Sequence, residues 1–401
     1  METTAATTAI VTTTAPVTTT SATTTTAATT TVTTTEATTT FLSETTPVTS
    51  ETTTAATEDT TTETEPSNTS ETTETTVTTA ATEPQIVGPA AGYNFLTGLP
   101  VSDTSVNNRR PVAVVYNNIR LALPQPGISA ADVVFEVEAE GGITRIVAVF
   151  SDISSVGTIG SIRSARPVMI NISMGLDCVF VHSGGSPQAY DSLKTYGVLD
   201  VDGLYDNGTV FYRDANRQAR MGLEHSLMTT GAKINRKISN LAKAGKRTTL
   251  TDLYRKPFSF NETNTVPNGA KQANKVTTRY GGYQPSFVYN ASTGKYYRYQ
   301  YGSAHVDGNT GAQLSFKNVV VLSVTSSVIP GDTSGRRQFN DVGTGTGIYA
   351  TDGVYVPITW SKASASAPLK LTYANGTPLK LNPGKTFISY VNGDANIIIG
   401  R

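Results

Sequence analysis

Residues 1–84 contain no lysine or arginine and consist mostly of Thr, Ala, Glu, Ser and Pro. Apolar side chains are sparse there, as at Val11, Val17, Val32, Phe41 and Leu42. Such a segment cannot bury enough apolar surface to offset the entropy of ordering it. Residues 1–85 are therefore read as a long disordered Thr-rich stalk. β-Branched Thr stiffens the chain locally, and scattered glutamates favour extension. Tracts of this composition serve as extended stalks and wall-spanning linkers. Order is expected to begin near Ile86 to Leu99, and the remaining chain is long enough for two domains.

The neutral overall charge hides an asymmetry. The 401-residue chain has 31 basic and 31 acidic residues. The stalk holds 11 of the acidic ones and no basic ones, so the rest carries 31 against 20, a balance of +11. From Val266 onward there are 13 basic and 5 acidic residues, or +8. An excess of this kind favours anionic partners without saying anything of fold. The single cysteine, Cys178, excludes an internal disulfide framework and sits in the apolar run Leu176-Asp-Cys-Val-Phe-Val181 as a small buried hydrophobe. No run approaches the ~20 apolar residues of a membrane helix. Met1-Glu-Thr-Thr has neither a basic nor an apolar leader region, so the export signal of a surface protein is expected to lie outside this sequence.

Apolar periodicity predicts strands at Pro111 to Tyr116, Asp132 to Glu138 and Arg145 to Phe150, with Gly141-Gly142 as a turn. Helices are predicted over Ser164 to Met174, Ser186 to Tyr196 and Leu227 to Ala244, and a further buried strand over Cys178 to Val181. Residues 86–256 thus read as an α/β (or α+β) module. A polar stretch with Pro257, Pro267 and Gly269 reads as a linker over 257–274. Residues 275–401 read as a mainly-β module. Its strand candidates are Ser286 to Tyr289, Tyr296 to Tyr301, Asn318 to Val324, Gly353 to Thr359, Leu369 to Tyr373 and Phe387 to Val391. Gly343-Thr-Gly-Thr-Gly347 precedes no helix, so it is no dinucleotide fingerprint. His182, His225 and His305 lack zinc-ligand spacing.

The stretch richest in chemistry is Gly160-Ser-Ile-Arg-Ser-Ala-Arg166, at the start of a predicted helix. Unpaired N–H groups of a helix start attract anions, Ser164 can cap or donate, and the forks of Arg163 and Arg166 match carboxylate or phosphate oxygens. The bland alternative pairs these arginines, and Arg145, with the carboxylates of Glu136-Val-Glu-Ala-Glu140 to hold sheet to helix. Strand alternation places Glu136, Glu138 and Glu140 on one face, where they repel unless cations intervene. His182 ends a predicted strand before Ser183-Gly-Gly-Ser186, the kind of place where open α/β sheets gather ligands. Tyr212-Arg-Asp214 and His225 add Arg213 and a second imidazole. Arg163, Ser164, Arg166, Arg145, Arg213 and His225 are the expected ligand-binding residues. His182, Glu140 and Glu136 are the acid–base candidates should the chain be an enzyme.

Taken together, Glu136-Val-Glu-Ala-Glu-Gly-Gly-Ile-Thr-Arg145, Gly160 to Arg166, His182-Ser-Gly-Gly185, Phe211-Tyr-Arg-Asp214, Tyr297-Arg298, His305-Val-Asp307 and Trp360-Ser-Lys362 make the chain resemble the YerB-like family of bacterial lipoproteins. The resemblance covers about Asn94 to Val391. That family has no established biochemical activity, so the resemblance implies location and domain layout and no mechanism. The family pattern has Pro-His-Asn where this chain has Glu224-His225-Ser226, and no lipidation cysteine stands near Met1. The leading expectation is an extracellular, cell-surface protein that binds an anionic cell-envelope polymer or glycan. The rivals are a hydrolase or phosphoryl/glycan transferase acting on such a polymer, and a structural surface scaffold. No cofactor, metal, nucleic acid or transmembrane span is expected, and the oligomeric state stays open.

Overall fold

Three Val-rich runs build the centre of the molecule: Val112–Asn117 (β1), Val133–Glu140 (β2) and Ile143–Phe150 (β3). Nearly all their residues are buried, as expected for strands covered on both faces rather than half-exposed ones. The structure is a computed structural model that describes residues 92–400. The stalk expected over 1–85 lies outside the described residues. β3 pairs antiparallel with both β1 and β2, and the turn at Gly141-Gly142 has φ of 54° and 80°, the left-handed region glycine enters freely. β1 then pairs in parallel with Val179–His182 (β5), and β5 with Asp200–Asp202 (β6). A separate three-stranded sheet joins Thr158–Gly160 (β4), Tyr212–Arg213 (β7) and Leu227–Thr230 (β8).

The helices are Pro167–Gly175 (α1), Pro187–Tyr196 (α2), Ala215–Met221 (α3) and Gly231–Lys243 (α4). Three differ from the sequence expectation, and one of them, α3, is not among the predicted helices. α1 starts at Pro167 and not at Ser164. The residue before a proline is pushed out of the helical region, and Arg166 has φ −132° and ψ 154°. Arg163 and Ser164 therefore lie on extended chain, not on a helical face. Leu227–Thr230, read as the start of the third helix, is strand β8, held by β4 and β7. The helix begins after Thr230, whose hydroxyl caps the N–H of Lys233 at 3.3 Å.

The second half is almost entirely strand. It runs Ser259–Phe260 (β9), Lys271–Gln272 (β10), Lys275–Thr278 (β11), Ser286–Asn290 (β12), Lys295–Gln300 (β13), Ser303–Ala304 (β14), Ser315–Phe316 (β15) and Asn318–Ser323 (β16). It continues through Ser326–Val328 (β17), Arg337–Phe339 (β18), Gly343–Thr351 (β19), Val354–Lys362 (β20), Lys370–Tyr373 (β21), Lys380–Leu381 (β22), Thr386–Val391 (β23) and Ile397–Gly400 (β24). The Gly-Thr-Gly-Thr-Gly run opens β19. A Cβ on Gly345 would stand 2.5 Å from the Trp360 indole nitrogen, so this glycine lets the neighbouring strand's ring lie flat against the backbone.

The two halves share one sheet. β2 pairs in parallel with β23, from Val133 opposite Thr386 to Glu136 opposite Ser389. β23 pairs in turn with β16, so a single sheet runs β10-β20-β19-β16-β23-β2-β3-β1-β5-β6, with β21 added on β20. One face is covered by α1 and α2 in the first half, with Phe135, Met169, Phe180 and Tyr390 in a common core. The other face packs on the β4-β8-β7 sheet and α4 in the first half. In the second half it packs on the sheet of β14-β13-β12-β11-β24, through Tyr283, Phe287, Phe316 and Phe387. The 257–274 linker is itself packed, with Phe258 and Ala273 buried and β10 paired to β20.

Candidate functional site

In open α/β sheets the gap between diverging carboxyl ends of parallel strands is where ligands collect. Here the chain itself occupies that gap. Beyond Val114 and Val181, β1 and β5 part, and residues 161–165 run between them. The Arg163 N–H donates to Val115 O at 3.0 Å, and Arg163 O accepts from the Ser183 N–H at 3.0 Å. The segment singled out in the sequence is thus a wedge in the sheet, and its side chains decorate the rim.

The three carboxylates of β2 do not share one face. A register shift between Glu138 and Glu140 breaks the alternation, and each acid has its own arginine. Glu136 meets Arg298 at 2.9 Å, Glu138 meets Arg337 at 3.2 Å, and Glu140 is held by Arg145 at 2.7 Å and Arg166 at 2.6 Å. Arg145 also donates to Ser164 O at 2.6 Å, and Arg166 to Ala165 O at 2.8 Å. Both guanidiniums are buried. Burial, then the repulsion of Arg166, pushes the Arg145 pKa down to about 9. Arg145, Arg166 and Glu140 therefore clamp the wedge to the β2–β3 turn.

His182 is fully buried and stacks on Phe180 with ring centroids 5.0 Å apart. Its Nε2 lies 3.0 Å from Asp200 and its Nδ1 2.9 Å from Gly184 O, so both ring nitrogens are engaged. Arg163, Arg213 and His225 lie together on the rim. Arg163 reaches Glu224 at 3.2 Å, and Glu224 is 71% exposed. Arg213 donates to Leu223 O at 2.7 Å. The nearness of Arg163 lowers the pKa of Arg213 and of His225, in each case second to burial. His225 Nδ1 is 2.7 Å from the Asn117 amide. The Nε of Arg163 is buried with no hydrogen-bond partner. Of the expected binding residues, Arg213 is exposed, Arg163 and Ser164 are half-buried, and His225 lies buried beneath them.

A second cluster was not anticipated as one. Glu136 and Arg298, both fully buried, form an ion pair across the seam between the halves. Asn118 and Thr144 each donate to Glu136 Oε1 at 2.9 Å. The Arg298 Nε donates to His305 Nδ1 at 3.0 Å, and His305 Nε2 lies 2.6 Å from Gln125 Oε1. That pattern fixes the tautomer, with the proton on Nε2. Arg298 also packs over the Phe387 ring, 4.5 Å from its centroid. Sequence spacing gave no hint, since Glu136 on the long sheet meets Arg298 and His305 only through the packing of the β14-β13-β12-β11-β24 sheet against it. Their presence in separate motifs of the resemblance was the available signal.

This cluster makes stability pH-dependent. Burial, then Arg298, hold the His305 pKa well below 6.5. Below pH 6.5 the unfolded chain takes a proton that the folded chain refuses, so stability is full above that pH and falls beneath it. Between pH 6.5 and pH 5.5 we expect a loss of about 1 kcal/mol for this one group. Denaturant midpoints across that range check it, and in His305→Asn the slope should be smaller. An unchanged slope in the variant would assign the effect elsewhere, His225 being the next candidate because its pKa is also lowered.

Among the described residues no group of three or more His, Cys, Asp or Glu side chains is arranged to hold one metal ion, and no helix is long and apolar enough to cross a membrane.

Residues 96–245 match the model of the N-terminal domain, and residues 276–388 that of the C-terminal domain, of a protein family of unknown function, DUF3048. The chain is 31% identical over 302 residues to the Bacillus subtilis (strain 168) protein named "Putative lipoprotein YerB", covering 74% of this chain and 85% of that one. The crystal structure of YerB from Bacillus subtilis superposes with a TM-score of 0.66 at 28% identity, covering 77% of this chain and 99% of that one. With the paired domains in the same order and an N-terminal half of helices and strands joined to a mainly-β half, this chain belongs to the YerB-like family.

Proposed function

We propose that the chain is a cell-surface protein whose folded part holds an anionic component of the envelope at the rim formed by Arg163, Arg213 and His225. The relative named as a lipoprotein supports the surface location. The Thr/Glu composition of residues 1–85 suits a spacer. The observation that carries the binding reading is the crowding of guanidiniums around Arg163. Its charge acts on Arg145, Arg166, Arg213 and His225 together. Against them stand Glu140, already gripped twice, and the exposed Glu224. Like charges in one neighbourhood repel, and an arriving anion relieves the repulsion while meeting the Arg163 and Arg213 guanidinium ends. The acid–base reading has less behind it, because His182 and Glu136 are both buried with their polar atoms engaged.

Calorimetric titration with tripolyphosphate tests the reading. The wild-type chain should bind it, more weakly as salt rises and screens the charges. Arg163→Ala removes charge-assisted hydrogen bonds of about 1.5–3 kcal/mol, so affinity should fall roughly tenfold to a hundredfold. The melting temperature should barely move, because the Arg163–Glu224 pair is exposed on its acidic side and contributes at most about 1 kcal/mol. Equal affinity in wild type and variant, or a large drop in melting temperature, would make the cluster purely structural.

A further inference from the structure

The sequence Lys295-Tyr-Tyr-Arg-Tyr-Gln300 alternates along β13. Tyr296, Arg298 and Gln300 are buried, while Lys295, Tyr297 and Tyr299 point outward. Core packing accounts for the first set and leaves two aromatic rings and an ammonium on the outer face. Two cavities adjoin there. One, of about 660 Å³, is lined by Lys295, Lys317 and Lys385, with Asp352 as its one acidic wall. The other, of about 590 Å³, is lined by Tyr297 and Tyr299. Both have Tyr289, Ala291 and Gln313 in their walls, so they form one continuous trough.

We propose that this trough binds an acidic oligosaccharide. Asp352 is already committed, to the ammonium of Lys317 and to Asn382 Nδ2 at 3.0 Å. Lys385 donates to Ser129 O, and burial lowers its pKa. The buried acids behind it are occupied. Asp132 accepts from the Ser151 N–H and hydroxyl, and Asp307 from the N–H groups of Ser129, Asn309 and Thr310. The wall facing the trough therefore carries one internal ion pair, Lys317 with Asp352, and two further ammonium groups, Lys295 and Lys385, in no ion pair among the described residues. Sugar rings present C–H faces that lie against tyrosine rings. Their hydroxyls match side-chain amides such as Gln313, whose Nε2 donates to Arg298 O while its oxygen has no donor assigned. Ring carboxylates or phosphates meet the lysines, which act as compact point charges. A site that is shallow, polar, aromatic and cationic suits a chain of charged sugars better than an enclosed apolar ligand.

This site uses none of the rim arginines, so it stands or falls separately from the function proposed above. The test titrates the full chain with a galacturonic acid hexamer and with maltohexaose phosphorylated on its primary hydroxyls. At least one should bind with a Kd below about 1 mM, and which one does tells carboxylate from phosphate recognition. The methyl-esterified hexamer and plain maltohexaose should bind at least about tenfold more weakly. Lys295→Glu, and the pair Tyr297→Ala with Tyr299→Ala, should each weaken the binding at least about tenfold, since they alter surface residues and spare the core. Arg236→Glu on the exposed face of α4 controls for net charge and should change it less than about twofold, as should Arg163→Ala. Neither sugar binding, Lys295→Glu acting no more strongly than Arg236→Glu, or tighter binding of a thymidine hexanucleotide would each overturn the assignment.

Discussion

Arg298→Met should cost about 3–5 kcal/mol of stability, the scale on which removing one partner of a buried ion pair acts. Arg298 and Glu136 are both wholly shielded from water and only 2.9 Å apart. Methionine fills much of the volume and keeps contact with the Phe387 and Phe287 rings, but it leaves Glu136 as an uncompensated buried charge. It also removes the donor to His305 Nδ1 and one donor to the Tyr283 hydroxyl. The loss should appear as a lower denaturant midpoint at unchanged slope. Adding Glu136→Gln should recover part of it, because the amide is neutral and its oxygen can still accept from Asn118 and Thr144. A loss below about 1 kcal/mol, the scale of an exposed pair, would mean that water or another cation reaches the seam.

The second large effect concerns cooperativity. The chain has one tryptophan, Trp360, buried in β20 of the second half. The α-helices among the described residues all lie in the first half. Tryptophan fluorescence and helical circular dichroism therefore report on different halves. Because β2 lies between β3 and β23 in one sheet, neither half can leave without exposing the strands of the other. The two signals should follow one denaturation curve. Expressed alone, residues 92–256 should give no cooperative transition, since the cut bares the buried edge of β2 and the apolar residues opposite it. Two separate midpoints in the intact chain, or a sharply unfolding first half, would show that the shared sheet does not couple the halves.

Local structure was legible in the sequence where one physical rule dominated. The Val-rich strands, the Ser186 cap of α2 with Gly197 closing it, and the six later strands came from periodicity and turn chemistry alone. The start of α1 is displaced because a proline is accepted anywhere in a first turn by its own geometry, yet Pro167 restricts Arg166 and so takes the first helical position itself. The opening of the third helix was lost to tertiary pairing, since Leu-Met-Thr-Thr fits a strand once β4 and β7 flank it. The continuity of the sheet was invisible, because no local pattern tells that Val133 will face Thr386. The same blindness scattered the candidate site. The acids of β2 looked like one cluster, but a register shift past Glu138 sets Glu140 apart, and the three answer to different arginines.

The pairing of β2 with β23 also sets a clock. A ribosome adds roughly 5–20 residues per second, and about 250 residues separate the two strands, so β2 waits roughly 12–50 seconds for its neighbour. During that interval its edge offers unpaired N–H and C=O groups to any strand that passes, including that of another nascent chain. The sequence β2 exposes, Val-Val-Phe-Glu-Val-Glu-Ala-Glu, breaks its apolar run with an acid at every second position from Glu136 onward. Those charges discourage sticking before the fold closes. The glutamates that end up answered by arginines in the finished molecule thus act first as gatekeepers of an unfinished one.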